Sequence, residues 1–453
     1  MSLDREKIIM VNNGRFNAMD WLYFIIVTVA AAWLRLWFVL AVPTEQLFDF
    51  KTYQEIAVNV FNEAGHVYQG MAIAWQGPAY PLVLGYVYRL FGDSDVLIGK
   101  YFNVALSVMT LVMLFFLLRR FSGNRFFVYG SYALAAFLPN YLAYNNVIGT
   151  EVFFTFLFML ILLLQVYYFN DWLRIPLLGI LIGVAALTKP FFIAYPFVAA
   201  LYFWFKAKDI KSTALVLGAL LLITAAVVAP WTYRNYRVYG EFIPVSYNSG
   251  YVLYINNNDV NVTGRWMDLQ DVPAAPELER KIRDILDKYD GQVQLAYELD
   301  ELLKGEAYRW IGENPLEFLK MGFFRLQETY FMGAWDVRSW AMNEVPSTLD
   351  PQEDVAYRRS LSLFHTLSDV LIYVLSSFGL VYMLVNLIPV ARASRWDINL
   401  PDRILIPTIN LAFFVLVVFI FEGQARYNYP ILFLLIIGMF ATLEAKHGER
   451  ELV

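Results

Sequence analysis

Asp49 lies in the stretch "LFDFKTYQEIAVNVFNEAG", Leu47 to Gly65, a few residues beyond an apolar run that ends at Val42 and Pro43. A second carboxylate, Glu151, opens another apolar run in "NNVIGTEVFF". Two carboxylates at the mouths of apolar segments are the equipment expected for acid/base work at a membrane surface. Each also has an ordinary structural reading. Asp49 could cap a helix or be a solvated loop acid. Glu151 could be a first-turn acid complementing a helix dipole.

Two cations complete the set. Lys189 occupies the tip of the turn "LTKPF", and Arg426 lies in "EGQARYNYP" between the last two apolar runs. Arg presents a planar fork to phosphate oxygens and Lys a compact charge, so together they can clamp a phosphate. The alternative is snorkelling to lipid headgroups. Glu422 stands four residues before Arg426 and could orient it as a helical pair. Arg35, inside the first apolar run, is a functional candidate by its position, with structural pairing to an acid as the alternative.

Other chemistries find less support. Cysteine is absent, which removes disulfides and thiolate metal sites. His66 and His365 are the only histidines expected on the outer side, so a multi-histidine site is not available. No phosphate-cradling glycine loop is present. No cofactor is called for; a divalent metal stays open as an alternative, although no ligand set for one is evident. "GPAYP" (Gly77–Pro81) and "WTYRNY" (Trp231–Tyr236) fit turn chemistry and interfacial aromatics.

The elements that must position these residues are membrane helices. The chain has 453 residues, 59% hydrophobic and 17% charged, with a mean hydropathy of +0.48. Apolar runs near the length of a hydrocarbon core recur along it. The formal net charge of −5 says little about partners, and Lys and Arg are too scattered for a nucleic-acid footprint. The first run has no small-residue cleavage site after it and reads as a retained anchor.

Ten spans are expected: Trp21–Val42, Tyr101–Leu118, Phe126–Tyr144, Val152–Phe169, Ile175–Leu187, Phe191–Phe205, Ala214–Val228, Thr366–Val390, Ile404–Phe421 and Ile431–Leu443. With the N-terminus inside, the inner loops hold Arg5, Lys7, Arg15, Arg119, Arg120, Arg125, Lys206, Lys208, Lys211 and more, whereas the short outer turns hold only Lys189 and Arg426. That asymmetry sets the orientation. The fifth and sixth spans are short enough for a re-entrant hairpin.

The domain plan is therefore an inner tail (1–20), a bundle (21–232) carrying an outer loop (43–100), an outer, mainly helical domain (233–365), further spans (366–445) and an inner tail (446–453). In the outer loop, Tyr53, Ile56, Ala57, Val60 and Phe61 recur at helical spacing. Thr52 and Glu55 form a capping-box pattern at its start, and Gly65 can end it. The stripe would lie on the membrane surface or against the bundle. In the outer domain, Leu278, Ile282, Ile285 and Leu286, then Leu295, Leu299, Leu302 and Leu303, read as helical after a loop, "SYNSGYVLYINNNDVNVTG".

An ordered set of motifs carries a resemblance: the outer Asp49, "GH-Y" at Gly65, His66 and Tyr68, "GPAYP", Thr150–Glu151, "LTKP", "APWTYRNYRVYGEFIPVSYNSGYVLYINNN" and a late "E…RYNYP". The chain resembles the bacterial polyprenyl-phosphate-sugar glycosyltransferases of glycosyltransferase family 39. These are GT-C-fold relatives of protein O-mannosyltransferases and the lipid A aminoarabinose transferase. The resemblance covers nearly the whole chain and is weakest between Asp268 and Tyr357.

It implies an all-α, polytopic GT-C bundle in a bacterial plasma membrane, with its active site facing outside the cytoplasm. The donor would be a sugar on undecaprenyl phosphate and the acceptor a hydroxyl on an extracytoplasmic glycan, lipid or protein. Asp49 maps onto the family's catalytic base, Glu151 is the second catalytic candidate, and Lys189, Arg426 and Arg35 would hold the donor phosphate. His66, Tyr80, Asn257, Glu422 and Tyr427 fall in the shared motifs as substrate-binding candidates, and Tyr53, shortly after Asp49, is a further one. A single displacement implies inversion at the anomeric carbon.

Two departures stand out. Where the family's Asp is often followed by a second acid and paired tyrosines, Phe50, Lys51 and Thr52 intervene here before Tyr53, and Lys189 replaces the family's usual Arg. Two other readings compete: a transporter or flippase of lipid-linked glycans, and a ligase or polymerase of surface glycans. A transporter carries its polar residues near the midplane of broken helices. Here the candidates map to the outer mouth.

Overall fold

A helix inside a membrane satisfies its own backbone and is free to expose apolar side chains to lipid. The computed structural model, which describes residues 17–167, 170–344, 354–395 and 398–450, shows that signature. Arg5, Lys7 and Arg15 of the expected inner tail, and the Phe169 end of the fourth expected span, lie outside the described residues. Helix α1 (Ala18–Ala41) starts at a capping box in which Asn17 and Asp20 exchange hydrogen bonds. It buries Ala31, Arg35 and Phe38 on one face and exposes Ile25, Val29, Trp33 and Leu40 on the others.

Beyond α1 come α2 (Phe48–Phe61), a hairpin of β1 (Val67–Tyr68) and β2 (Met71–Ala72), and α3 (Ala79–Phe91). Then follow α4 (Val96–Phe121), α5 (Arg125–Phe137), α6 (Pro139–Ala143), α7 (Thr150–Val166), α8 (Asp171–Thr188), α9 (Tyr195–Ala207) and α10 (Ile210–Tyr239). The segment after α10 holds α11 (Ser249–Asn256), α12 (Pro276–Leu286), α13 (Tyr297–Glu313) and α14 (Pro315–Tyr330), followed by α15 (Asp354–Arg395), α16 (Asp402–Ile420) and α17 (Leu432–Arg450).

Eight helical segments among the described residues are long and apolar enough to cross a membrane. Two expected spans differ. The third is broken, because Pro139 forces Leu138 into an extended conformation and splits α5 from α6. The fourth, α7, has 17 residues and is buried on nearly all sides, as a helix apolar all round should be. It is the central pillar of the bundle. The expected re-entrant pair is corrected: Asp171–Thr188 and Pro190–Ala207 are each 18 residues, long enough to cross. Helix α8 meets α10 through "GILIG", where a Cβ on Gly183 would fall 2.6 Å from Val227, so only glycine permits this approach.

Three local expectations are overturned. Thr52 is not a cap: α2 begins four residues earlier, and the Thr52 hydroxyl donates back to the Phe48 carbonyl at 3.3 Å. Gly65 does not end α2, which stops at Phe61 with Glu63 in the left-handed region. The expected loop 246–264 contains α11, whose Leu253 and Ile255 are buried. Helix α2 packs its stripe inward, with Ala57 and Val60 seated against Gly85 of α3. The stripe is shared between two cores: Tyr53 and Ala57 join the main bundle core, and Ile56 and Val60 join a second one with Trp75, Tyr247, Ile255, Leu299 and Leu303.

Candidate active site

Helix α2 enters through Phe48, whose φ of +48° is a left-handed backbone rarely adopted by an aromatic residue. Asp49 follows in the first turn. Its Oδ1 accepts from Gln76 Nε2 at 2.7 Å and its Oδ2 from Arg426 Nη2 at 2.8 Å. The Asp49 side chain remains one-third exposed, at 33%, so the carboxylate is held yet reachable.

Glu151 lies in the first turn of α7 and is buried. Its Oε1 accepts from Lys189 Nζ at 3.0 Å, and its Oε2 has no partner. Lys189 is the residue at which α8 ends, where Pro190 prevents continuation. Gly149 makes room for this carboxylate, since a Cβ there would meet Oε2 at 2.5 Å.

The two ion pairs belong to one cluster. Arg426 lies within electrostatic range of Glu151 and Glu422 as well as Asp49, and Tyr53 is buried among Asp49, Glu151 and Arg426. Burial and those carboxylates hold the Tyr53 phenol well above its usual range, so it stays neutral. The Arg426 guanidinium stacks at 5.2 Å from the Trp340 ring and 5.5 Å from the Tyr427 ring, and its Nε–H has no acceptor. Tyr80 stands behind, edge-on to Tyr53 at 5.9 Å, with its hydroxyl donating to Asn103 at 3.2 Å.

Glu422 is in the cluster but not in its expected role. The chain unwinds after α16, so no helical pair with Arg426 forms; Gln424 is extended. Glu422 instead accepts from the Tyr427 hydroxyl at 2.6 Å and from the Gln424 amide. Burial pushes its carboxyl pKa up.

Three candidates are placed elsewhere. Arg35 is inside the bundle, donating to Ser107 Oγ at 2.8 Å, to the Ala136 carbonyl at 2.9 Å and to the Ala31 carbonyl at 3.1 Å. It shares a small cavity with Tyr141, Thr155 and Tyr429 and makes no bond to the ionic cluster. Asn257 is fully occupied: its Oδ1 accepts from the buried Arg325 at 2.6 Å and its Nδ2 donates to Leu253. His66 packs edge-on to Trp231 at 4.8 Å, and burial beside Arg234 lowers its pKa to about 3. The ring is neutral, and both of its buried nitrogens lack a hydrogen-bond partner.

The sequence reading missed Gln76, Tyr144, Asp336 and Trp340. Asp336 lies in the Gly333–Ala341 segment after α14, buried, with the Tyr144 hydroxyl donating to Oδ2. Burial, with Glu151 adding to it, raises its pKa to about 6. The only local signal was an acid between tryptophans in "WDVRSW". Among the described residues, no three His, Cys, Asp or Glu side chains lie together as a metal-ligand group.

No protein-family model matches the chain, and no curated protein matches it in sequence. Solved structures do. The archaeal oligosaccharyltransferase AglB from Archaeoglobus fulgidus, in complex with an inhibitory peptide and a dolichol-phosphate, aligns with a TM-score of 0.50 at 13% identity, over 96% of this chain and 52% of that one. The Archaeoglobus fulgidus oligosaccharyltransferase in its apo form aligns with a TM-score of 0.51 at 14% identity, over 96% and 52%. ArnT from Cupriavidus metallidurans bound to undecaprenyl phosphate aligns with a TM-score of 0.43 at 14% identity, over 94% and 78%. The first two alignments establish the fold, a polytopic GT-C-type helical bundle. The chain spans about half the length of those two structures.

Proposed function

We propose that this membrane protein is a glycosyltransferase that moves a sugar from an undecaprenyl-phosphate carrier to a hydroxyl of an extracytoplasmic acceptor in the bacterial envelope. One observation carries the reading. A partly exposed carboxylate, Asp49, is held between Gln76 and Arg426, and a carboxylate–ammonium pair, Glu151–Lys189, belongs to the same cluster. The fold is shared with oligosaccharyltransferases, one of which was solved with a lipid phosphate.

The step is a single displacement. The acceptor oxygen attacks the anomeric carbon while Asp49 takes the hydroxyl proton. The bond from that carbon to the phosphate oxygen breaks, and its electron pair leaves with the lipid phosphate, so the anomeric centre inverts. Lys189, with one of its three N–H bonds given to Glu151, and Arg426, with its Nε–H unpartnered, stabilise the departing charge. Glu151 acts through Lys189 and is a positioning residue. Tyr53 and Tyr427 line the site. No step calls for a cofactor.

The test is a transfer assay. Purified protein in lipid nanodiscs is given a short-chain polyprenyl-phosphate sugar labelled in the sugar, together with envelope fractions as acceptor. Label in the acceptor and stoichiometric free polyprenyl phosphate are expected. In sealed vesicles, movement of intact lipid-linked sugar across the bilayer without cleavage would overturn the reading in favour of a flippase.

A further inference from the structure

The segment after α14 holds groups that the displacement does not use. Asp336 is 2% exposed; its Oδ2 accepts from Tyr144, and its Oδ1 has no hydrogen-bond partner. The indole N–H of its neighbour Trp335 is also buried without a partner. Trp340, half-buried, meets Trp335 edge-on at 5.0 Å and rests against Arg426. Glu151 lies within electrostatic range of Asp336 and keeps its own Oε2 unpartnered. Buried polar atoms are normally paired, and leaving one unmade is costly. Tyr144 takes one oxygen of Asp336, and the nearby backbone N–H groups of Asp336 and Val337 give the second no hydrogen bond of proper geometry.

We propose that Asp336, with Trp340 as an apolar platform, binds the sugar ring of the lipid donor. The inference rests on the glycosyltransferase reading and assigns the residues that recognise its sugar. A sugar ring presents O–H donors at its edge and C–H groups on its faces. Unpartnered carboxylate oxygens match the first and an aromatic plane the second. The donor's sugar is favoured over an acceptor's because Asp336 lies within electrostatic range of Glu151, whose partner Lys189 holds the leaving phosphate in the proposed step.

The test compares two lipids, a short-chain polyprenyl phosphate with and without its sugar, for binding to wild type and to Asp336→Asn. Charged hydrogen bonds of this kind correspond to a roughly ten- to hundredfold change in affinity. That loss is expected for the sugar-bearing lipid alone, with the bare lipid unchanged and the unfolding temperature equal or higher. Equal losses for both lipids, or no loss for the sugar-bearing one, would overturn the assignment. Wild type that binds neither lipid would sink the glycosyltransferase reading itself. Should Asp336→Asn fail to fold, Tyr144→Phe leaves the carboxylate in place but untethered. A severalfold loss confined to the sugar-bearing lipid supports the assignment, and unchanged affinity gives Asp336 a structural role.

Discussion

Asp49 and Arg426, 377 residues apart in the chain, form an ion pair 2.8 Å long that ties the first turn of α2 to the segment leading into α17. Arg426 also stacks on Trp340 and Tyr427 and reaches the field of Glu151. One guanidinium therefore joins four separate parts of the chain at one end of the bundle. Whatever reacts there meets a carboxylate whose position is set by a cation and an amide rather than by its own helix.

On the proposed reading, Asp49→Asn should cut transfer by the purified protein about 10²–10⁴-fold, because general-base removal costs that much. The amide keeps the shape and the Gln76 contact, so donor binding should survive. Single-turnover transfer and lipid binding, measured on the same preparation, separate the two. Near-normal turnover would move the base elsewhere, with Glu151 next to examine.

Lys189→Ala should destabilise the fold because it removes the hydrogen-bonded partner of the buried Glu151 carboxylate, leaving only the field of Arg426. Breaking one partner of a buried pair costs about 3–5 kcal/mol, and Lys189 is 18% exposed, so the lower end applies. Adding Glu151→Gln should recover most of that loss while donor binding stays weak. Thermal unfolding of the single and double variants checks it. A double variant no more stable than Lys189→Ala would show that Glu151 is not the charge left exposed.

Orientation is testable because the chain has no native thiols. Cysteines at the exposed positions Lys51 and Arg280 should react with an impermeant thiol reagent in intact cells. Cysteines at the exposed Gly123 and Lys211 should react only after lysis. The opposite pattern would put the Asp49 cluster in the cytosol and defeat a donor presented on the outer leaflet.

The packing of α11 against α13 should lose stability as the pH rises. Asp300 is buried and accepts from the Tyr251 N–H at 2.8 Å, with the Lys304 ammonium 3.8 Å from Oδ2; burial outweighs that cation and raises its pKa from 3.8 to about 6. Its folded pKa lies above the unfolded one, so the stabilisation it carries is full below pH 3.8 and lost as the pH climbs through about 6. The change is on the order of 3 kcal/mol. Asp300→Asn keeps the acceptor for Tyr251 and should flatten the stability profile between pH 4 and 6. A profile unchanged by the substitution would remove Asp300 as its source.

The sequence by itself determined the class of the molecule and the identity of its most reactive-looking groups. Membrane helices are legible because hydropathy and length are local sums, and Asp49, Lys189 and Arg426 stood out because each broke a local trend. Local signals failed where tertiary contacts outweighed them. The Thr52–Glu55 pattern lost to a helix start at Phe48, and "SGYVLYIN" became α11 because α13 and the hairpin bury it. Glu422 has the right spacing for Arg426 only if the segment is helical, and it is not.

What the tertiary structure alone decided is which charges meet. Asp49 pairs with Arg426 and Glu151 with Lys189, while Arg35 is spent on backbone carbonyls and Asn257 on Arg325. Asp336 joins the site from a stretch with almost no periodic signal. Pairing energy depends on the distance and burial of two side chains, and neither is a property of their spacing in the sequence when the chain between them folds into most of a bundle.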